Sequence, residues 1–326
     1  MFTRPLYNAQ PSQATKILDP AAPNYRMGDY GYGKEDARVF QVKKNGPIHS
    51  ILEYKVSAYM RLGSHKEYYE ANNCDIIGSD VAETTIYMHA RKYGLKTPEE
   101  FALSLTKHFL DTYNIIAESN VVVEDLQWDR LGTKESEGYY KDAAHNHVFT
   151  RNCNEKRYCE VVRKRGEDKP LLIGGISDLR VIKTAKSSFV GYVKGDLFTE
   201  GDMPERILCT DLNARWQYAT IDNIDFTKHW YKVREILLKS FAGHPVDGFS
   251  TTSVQFIAYT AERNILDAMP EICSVMITLP NYPHLQYDFS RFPSFESEVD
   301  VIISNPRDLP RSVGYAHLDR LKLNEN

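Results

Sequence analysis

From Lys34 onward apolar and polar side chains begin to alternate, and Arg38-Val39-Phe40-Gln41-Val42-Lys43-Lys44 reads as a strand. Asn45-Gly46 follows, a hairpin signal because both residue types tolerate positive φ. The returning strand runs from His49 to about Leu62. The period then changes to that of helices. In the first, Asp80 serves as N-cap with Glu83 three residues on, the helix runs through Ile86 and Ala90, and Gly94 suits the stop. In the second, Thr97 caps, Pro98 takes the first helical position and Glu100 completes a capping box, while Phe101, Leu105, His108 and Phe109 share one face. Residues 120–128 return to strand pattern.

The second part of the chain repeats this order. Strands are predicted over 159–163, 179–183 and 207–218, and a helix over 226–241 with Gly243 as its stop. Another helix starts after Ser253 and ends near Met269-Pro270, and residues 274–279 form the next strand. Gly174-Gly175 reads as a turn, and 132–147 and 166–168 as exposed loops. The order β-β-α-α-β thus occurs twice, with little identity between the copies. This predicts an α+β protein whose antiparallel sheets carry paired helices on one face. A single irregular α+β domain is the plainer alternative. The division is 1–28 as a disordered N-terminal arm, 29–166 as the first unit and 167–326 as the second.

Composition narrows the function classes. The 326 residues are 42% hydrophobic and 26% charged, a globular balance, with a net charge of −4 and no basic cluster. This argues against nucleic-acid binding. Five cysteines without a C-x-x-C pair fit reduced thiols better than a disulfide frame. No apolar run approaches the roughly 18 residues of a membrane span. The arm carries four prolines and no apolar h-region, so it is not read as a secretory signal. The last six residues, Leu321-Lys322-Leu323-Asn324-Glu325-Asn326, lack the Ser-Lys-Leu peroxisomal address.

Chemistry is sparse by motif. The glycines at 28, 31 and 33 do not follow a strand and open a helix, so they fail as a phosphate loop. His145-x-His147 lacks a third ligand at a metal-site spacing, and no metal is expected. Three places carry more. Gly31-Tyr32-Gly33-Lys34 lets backbone approach another surface and then offers a lysine, either solvated in a turn or, held partly dry, a neutral base. Gly78-Ser79-Asp80 opens a helix, where hydroxyl and carboxylate are ordinary caps and free N–H groups also suit an anion. Ser253-Val254-Gln255 opens another, with Ser253 as cap, or with a backbone N–H and the Gln255 amide gripping a planar polar ligand.

Taken in order, these islands resemble the urate oxidase (uricase) family from about residue 30 onward. They are Tyr32-Gly33-Lys34 with Arg38-Val39, Ile77-Gly78-Ser79-Asp80 with Thr85-Ile86-Tyr87, and Lys107-His108-Phe109. Leu179-Arg180-Val181-Ile182-Lys183-Thr184 with Ser187-Ser188-Phe189, then Arg206-Ile207-Leu208, Ser253-Val254-Gln255 and Leu279-Pro280-Asn281, complete the series. The resemblance implies two tandem T-fold (tunnelling fold) units, a homotetrameric barrel with active sites between chains, and cofactor-free oxidation of urate by O₂ to 5-hydroxyisourate and H₂O₂. It implies Lys34 and Ser79 as a proton relay, with Ser79 replacing the family's threonine. Asp80 and Val254 are implied as backbone contacts, Phe189 as the stacking ring, Arg206 and Gln255 as a pincer, and Asn281 as the amide over the ring.

The family reads Asn-x-His after Leu-Pro, whereas this chain has Asn281-Tyr282-Pro283-His284. His284 is the candidate third catalytic residue if a bulge restores its facing. The family also implies the peroxisome, with the cytoplasm as alternative. A weakened or inactive relative that binds purines or serves assembly is the rival reading.

Overall fold

The computed structural model describes residues 18–19, 22–133, 144–151, 154–197, 201–292 and 301–321. Most of the arm expected over 1–28 lies outside the described residues. Within it β1 (Leu18–Asp19) pairs antiparallel with β2 (Ala22–Arg26) as a short ribbon.

The alternating segments give β3 (Tyr32–Asn45) and β4 (Ile48–Leu62). Asn45 pairs with Ile48, which leaves Gly46-Pro47 as the two-residue loop. Gly46 has φ 57°, as a type II′ turn needs at its first position, so Asn45 ends the strand instead of making the turn. A short α1 (Lys66–Tyr69) precedes α2 (Ser79–Tyr93) and α3 (Pro98–Thr112), then β5 (Ile116–Asp125). A minor pair, β6 (Asp129–Arg130) with β7 (Phe149–Thr150), precedes β8 (Lys156–Lys164). The second half has β9 (Leu171–Lys183), β10 (Leu208–Tyr218), α4 (Phe226–Ala242), α5 (Val254–Ala268), β11 (Ile272–Gln286), β12 (Ser304–Pro306) and β13 (Val313–Asp319).

The order ββαα plus strands does occur twice. The halves nevertheless form one antiparallel nine-stranded sheet, not two separate ones. Its order is β3-β4-β5-β8-β9-β10-β11, with β12 and β13 both on β11. The β8–β9 ladder joins the halves across the turn at Gly166. Helices α2 to α5 lie on one face and bury one continuous core, which includes Val56, Met60, Leu105 and Phe109 from the first half and Trp216, Trp230, Leu237 and Ile265 from the second. The other face is laced with ion pairs, among them Lys55–Glu124 at 3.2 Å and Arg180–Asp211 at 2.8 Å.

Aligning the halves on their first strands exposes a repeat that periodicity alone does not show. Gly33-Lys34-Glu35-Asp36-Ala37-Arg38-Val39 matches Gly175-Ile176-Ser177-Asp178-Leu179-Arg180-Val181 at Gly, Asp, Arg and Val. Both stretches contain a β-bulge centred on the aspartate, and each aspartate has φ 59°. Aspartate tolerates this left-handed conformation better than most residues. Each bulge is pinned by its backbone N–H, which donates to Ser57 Oγ at 3.0 Å or to Asn213 Oδ1 at 2.9 Å on the neighbouring strand.

Gly174-Gly175 is not a turn but the middle of β9. A Cβ on Gly174 would stand 2.6 Å from the Trp216 ring, and one on Gly175 2.1 Å from the Tyr158 ring. The glycines make room for aromatic rings of the adjoining strands.

Candidate active site

The first cluster forms where β3 meets the start of α2. Gly33 brings its backbone so close to β4 that a Cβ would lie 2.2 Å from Ala58 O. Lys34 then precedes the bulge, and its Nζ reaches Glu83 Oε2 at 2.5 Å and Asp80 Oδ1 at 3.3 Å. These partners raise the lysine's pKa, Glu83 most, and Lys34 in turn lowers that of Glu83. The helix cap is Gly78, not Asp80, and no side chain caps the first turn. Ser79 and Asp80 are the first two helical residues, both exposed. With a glycine at the cap, the first-turn N–H groups have no side-chain acceptor and suit an anion. The approach loop is held by Tyr32 Oη, which accepts from Ile77 N at 2.9 Å, and by Asp75, which takes Ser64 Oγ at 2.8 Å and Lys66 Nζ at 3.1 Å. Ser79 makes no hydrogen bond with Lys34 among the described residues.

The second cluster is built wholly from the second half. Ser187 bridges to Thr251, and Ser188 N donates to Thr251 O at 3.1 Å. Phe189 and Met203 exchange both backbone bonds, and Arg206 N donates to Ser187 O at 2.8 Å. These links place the Arg206 guanidinium 5.4 Å from the Phe189 ring centroid, while Phe189 stacks on Tyr192 at 4.5 Å. Ser253 caps α5, accepting from Phe256 N at 3.4 Å, and its hydroxyl holds Gln255 Oε1 at 2.8 Å. Gly314 on β13 pairs with Leu279, and a Cβ there would meet Val254 at 2.6 Å. The start of α5 therefore lies beside the stretch of β11 that leads to Asn281. Asn281 pairs with Thr210 on the helix-bearing face, and its N–H donates to Ser312 O at 2.9 Å. Phe189, Arg206, Val254, Gln255 and Asn281 are thus gathered on one half.

His284 does not join them. The β10–β11 register runs unbroken through Leu208↔Pro283, Cys209↔Tyr282 and Thr210↔Asn281, so no bulge restores its facing. Alternation puts Asn281 and Pro283 on the helix face and Tyr282 and His284 on the opposite one. His284 instead pairs across to β12 and meets Ser304 Oγ at 3.2 Å. Tyr282 is the residue that sequence reading missed. Its hydroxyl donates to Asp211 Oδ2 at 2.5 Å, the Arg180 guanidinium lies 3.9 Å from its ring centroid, and Arg311 Nη1 donates to the same hydroxyl at 3.2 Å. The pairing of Glu83, read as part of a helix cap, with Lys34 and the Ser187–Thr251 bridge were also missed, since a carboxylate or hydroxyl within a helical or loop pattern gives no signal of its partner.

No hydrogen bond, ion pair or ring contact among the described residues links the Lys34–Ser79–Asp80 cluster to the Phe189–Arg206–Gln255–Asn281 cluster. On this chain they are two separate clusters.

The uricase family profile matches residues 30–162 and 172–307. The chain is 34% identical to the uricase of Drosophila melanogaster over 320 residues, covering 93% of this chain and 91% of that one. It is 32% identical to the uricase of Oryctolagus cuniculus over 277 residues, 85% of this chain and 90% of the relative. Among solved structures, the uricase from Arthrobacter globiformis superposes with a TM-score of 0.79 at 28% identity, covering 90% of this chain and 94% of that one. With matches along both halves and a shared tandem T-fold, the chain belongs to the uricase family.

Proposed function

We propose that the chain oxidises urate with O₂ and water to 5-hydroxyisourate and H₂O₂, needing neither metal nor organic cofactor. The observation that carries this reading is the second cluster. A guanidinium beside an aromatic ring, with a glutamine amide at a helix start and an asparagine near it, matches a flat, electron-rich anion with carbonyl and N–H edges. Phe189 offers the stacking face. Arg206 and Gln255, with the Val254 backbone, grip the dione edge, where a planar fork outperforms a point charge. Asn281 holds O₂, then the attacking water, above the ring. Deprotonated urate is itself the reductant, so the protein's work is orientation, anion stabilisation and proton removal. Lys34 and Ser79 serve as the relay, and the Asp80 N–H helps hold the purine.

The two half-sites lie apart on one chain, and each is completed by a neighbouring copy. Assembly as a homotetramer follows, in the peroxisome as the family resemblance implies. Loss of urate's ultraviolet absorbance with equimolar H₂O₂, using metal-stripped protein, tests the reaction. A folded protein that leaves urate untouched refutes it. Light scattering that finds a stable monomer refutes the shared site, and a fluorescent fusion tests the organelle.

A further inference from the structure

Lys34 has two acidic neighbours, and they are not equivalent. The Asp80 side chain is 95% exposed and stands at 3.3 Å, so water screens it. The Glu83 side chain is 31% exposed and at 2.5 Å. It is also braced, because Tyr87 one turn along α2 donates its hydroxyl to Glu83 Oε1 at 3.2 Å. The backbone beneath Lys34 is fixed by the close approach at Gly33 and by the bulge at Asp36. The lysine stem thus has one anchored end and one anchored tip.

We propose that Glu83 is a positioning residue of the proton relay, holding the Lys34 ammonium at the start of α2 and setting when its proton can leave. The inference rests on Lys34 being the relay lysine. A lysine accepts a proton only as the free amine, and an adjacent carboxylate favours the ammonium. On turnover the substrate's N–H bond breaks, Ser79 Oγ takes that proton, and the hydroxyl's own proton passes to the Lys34 amine. The ammonium must therefore have lost its proton to solvent beforehand, and Glu83 opposes that loss. From α2 the carboxylates of Asp80 and Glu83 face Nζ, and the Tyr87 hydroxyl bonds Glu83 behind them. On β3 and β4 the nearby charges are engaged elsewhere, Glu35 by Tyr59 Oη at 2.7 Å and Asp36 by Lys55 at 3.6 Å. No second cation among the described residues pairs with Glu83.

The test uses the full chain with Glu83→Gln and Glu83→Asp. Two pH profiles are measured, kcat/KM for urate and the rate of trace acetylation of Lys34 by acetic anhydride, read by mass spectrometry. With Glu83→Gln both midpoints are expected to move to lower pH by about one unit, which is about tenfold in rate at a fixed pH on the acid limb. Glu83→Asp should restore much of the shift. An unmoved labelling midpoint overturns the proposal, and so does a labelling shift that the rate profile does not follow. A chain that oxidises no urate but shows the labelling shift supports Glu83's hold on Lys34 and overturns the proposed reaction instead.

Discussion

Replacing Arg157 with Met removes the cation that sits at the junction of the two halves. Its Nη2 meets Glu99 Oε2 at 2.8 Å, with the side chains 6% and 0% exposed. Arg157 lies on β8, Glu99 in the first turn of α3, and Thr227 on α4 takes Nη1 at 3.4 Å. Burial raises the Glu99 pKa and Arg157 opposes that shift. Without the arginine, the cheapest escape for Glu99 is to bind a proton. From an unfolded pKa near 4.3, this costs about 3.7 kcal/mol at pH 7 and about 1 kcal/mol at pH 5. The figure agrees with the ~3–5 kcal/mol seen when one member of a buried pair is removed. The sign follows from a carboxyl whose folded pKa lies above its unfolded value, so the variant loses stability as pH rises above about 4.3. Urea unfolding of wild type, Arg157→Met and Arg157→Met/Glu99→Gln would be followed by tryptophan fluorescence, since Trp230 lies 5.7 Å from the guanidinium. The single variant should lose much more at pH 7 than at pH 5, and the double variant should recover most of the loss. A loss that is equal at both pH values, or a double variant no better than the single, would refute the reasoning.

Other outcomes follow from the same structure. Arg206→Lys should weaken binding of a non-oxidisable urate analogue by about 1–3 kcal/mol, the worth of a charge-assisted hydrogen bond; unchanged affinity by titration would show that Arg206 does not face the ligand. His284→Ala should keep kcat within about twofold, under half a kcal/mol of barrier, because the imidazole faces away from Asn281; a large loss would mean that the strand turns on assembly. Glu262 is fully buried, and burial pushes its pKa up to about 7, with Oε1 accepting from Ile277 N at 2.9 Å. Folding stability should therefore fall as pH rises from the ordinary glutamate range to about 7 and then level off. Glu262→Gln should flatten that profile in thermal melts, and an unchanged slope would place the titration elsewhere.

Local rules carried the sequence reading furthest where one residue decides the outcome. Thr97-Pro98-Glu99-Glu100 forms the expected capping box, and Gly94 and Gly243 end their helices with φ 74° and 75°. The reading failed where a neighbouring strand decides. Gly174-Gly175 carries the composition of a turn, and only the rings of Trp216 and Tyr158 explain it as strand. Asp80 has the chemistry of a cap, but the chain enters α2 one residue before Ser79, and Lys34 takes the carboxylate. The strand expected over 274–279 runs on through Pro280 and Pro283 to Gln286. Phe189, Arg206 and Asn281 were singled out through resemblance alone, whereas Gln255 was also read from its place at a helix start. Their proximity depends on the Ser187–Thr251 bridge and on β13, which no local pattern announces.

The exposed turn at Gly166 has a bearing on how the molecule can be divided. The pairs Val162↔Leu171 and Val161↔Leu172 lie just inside it, and Arg157 ties the same region to both halves. Separated, each half would present β8 or β9 as a naked edge beside a cut-open core, a surface that invites aggregation. A nick in the turn removes only the covalent link and leaves the ladder standing. The two fragments, made together, would thus complement one another as a non-covalent pair, whereas neither would persist alone.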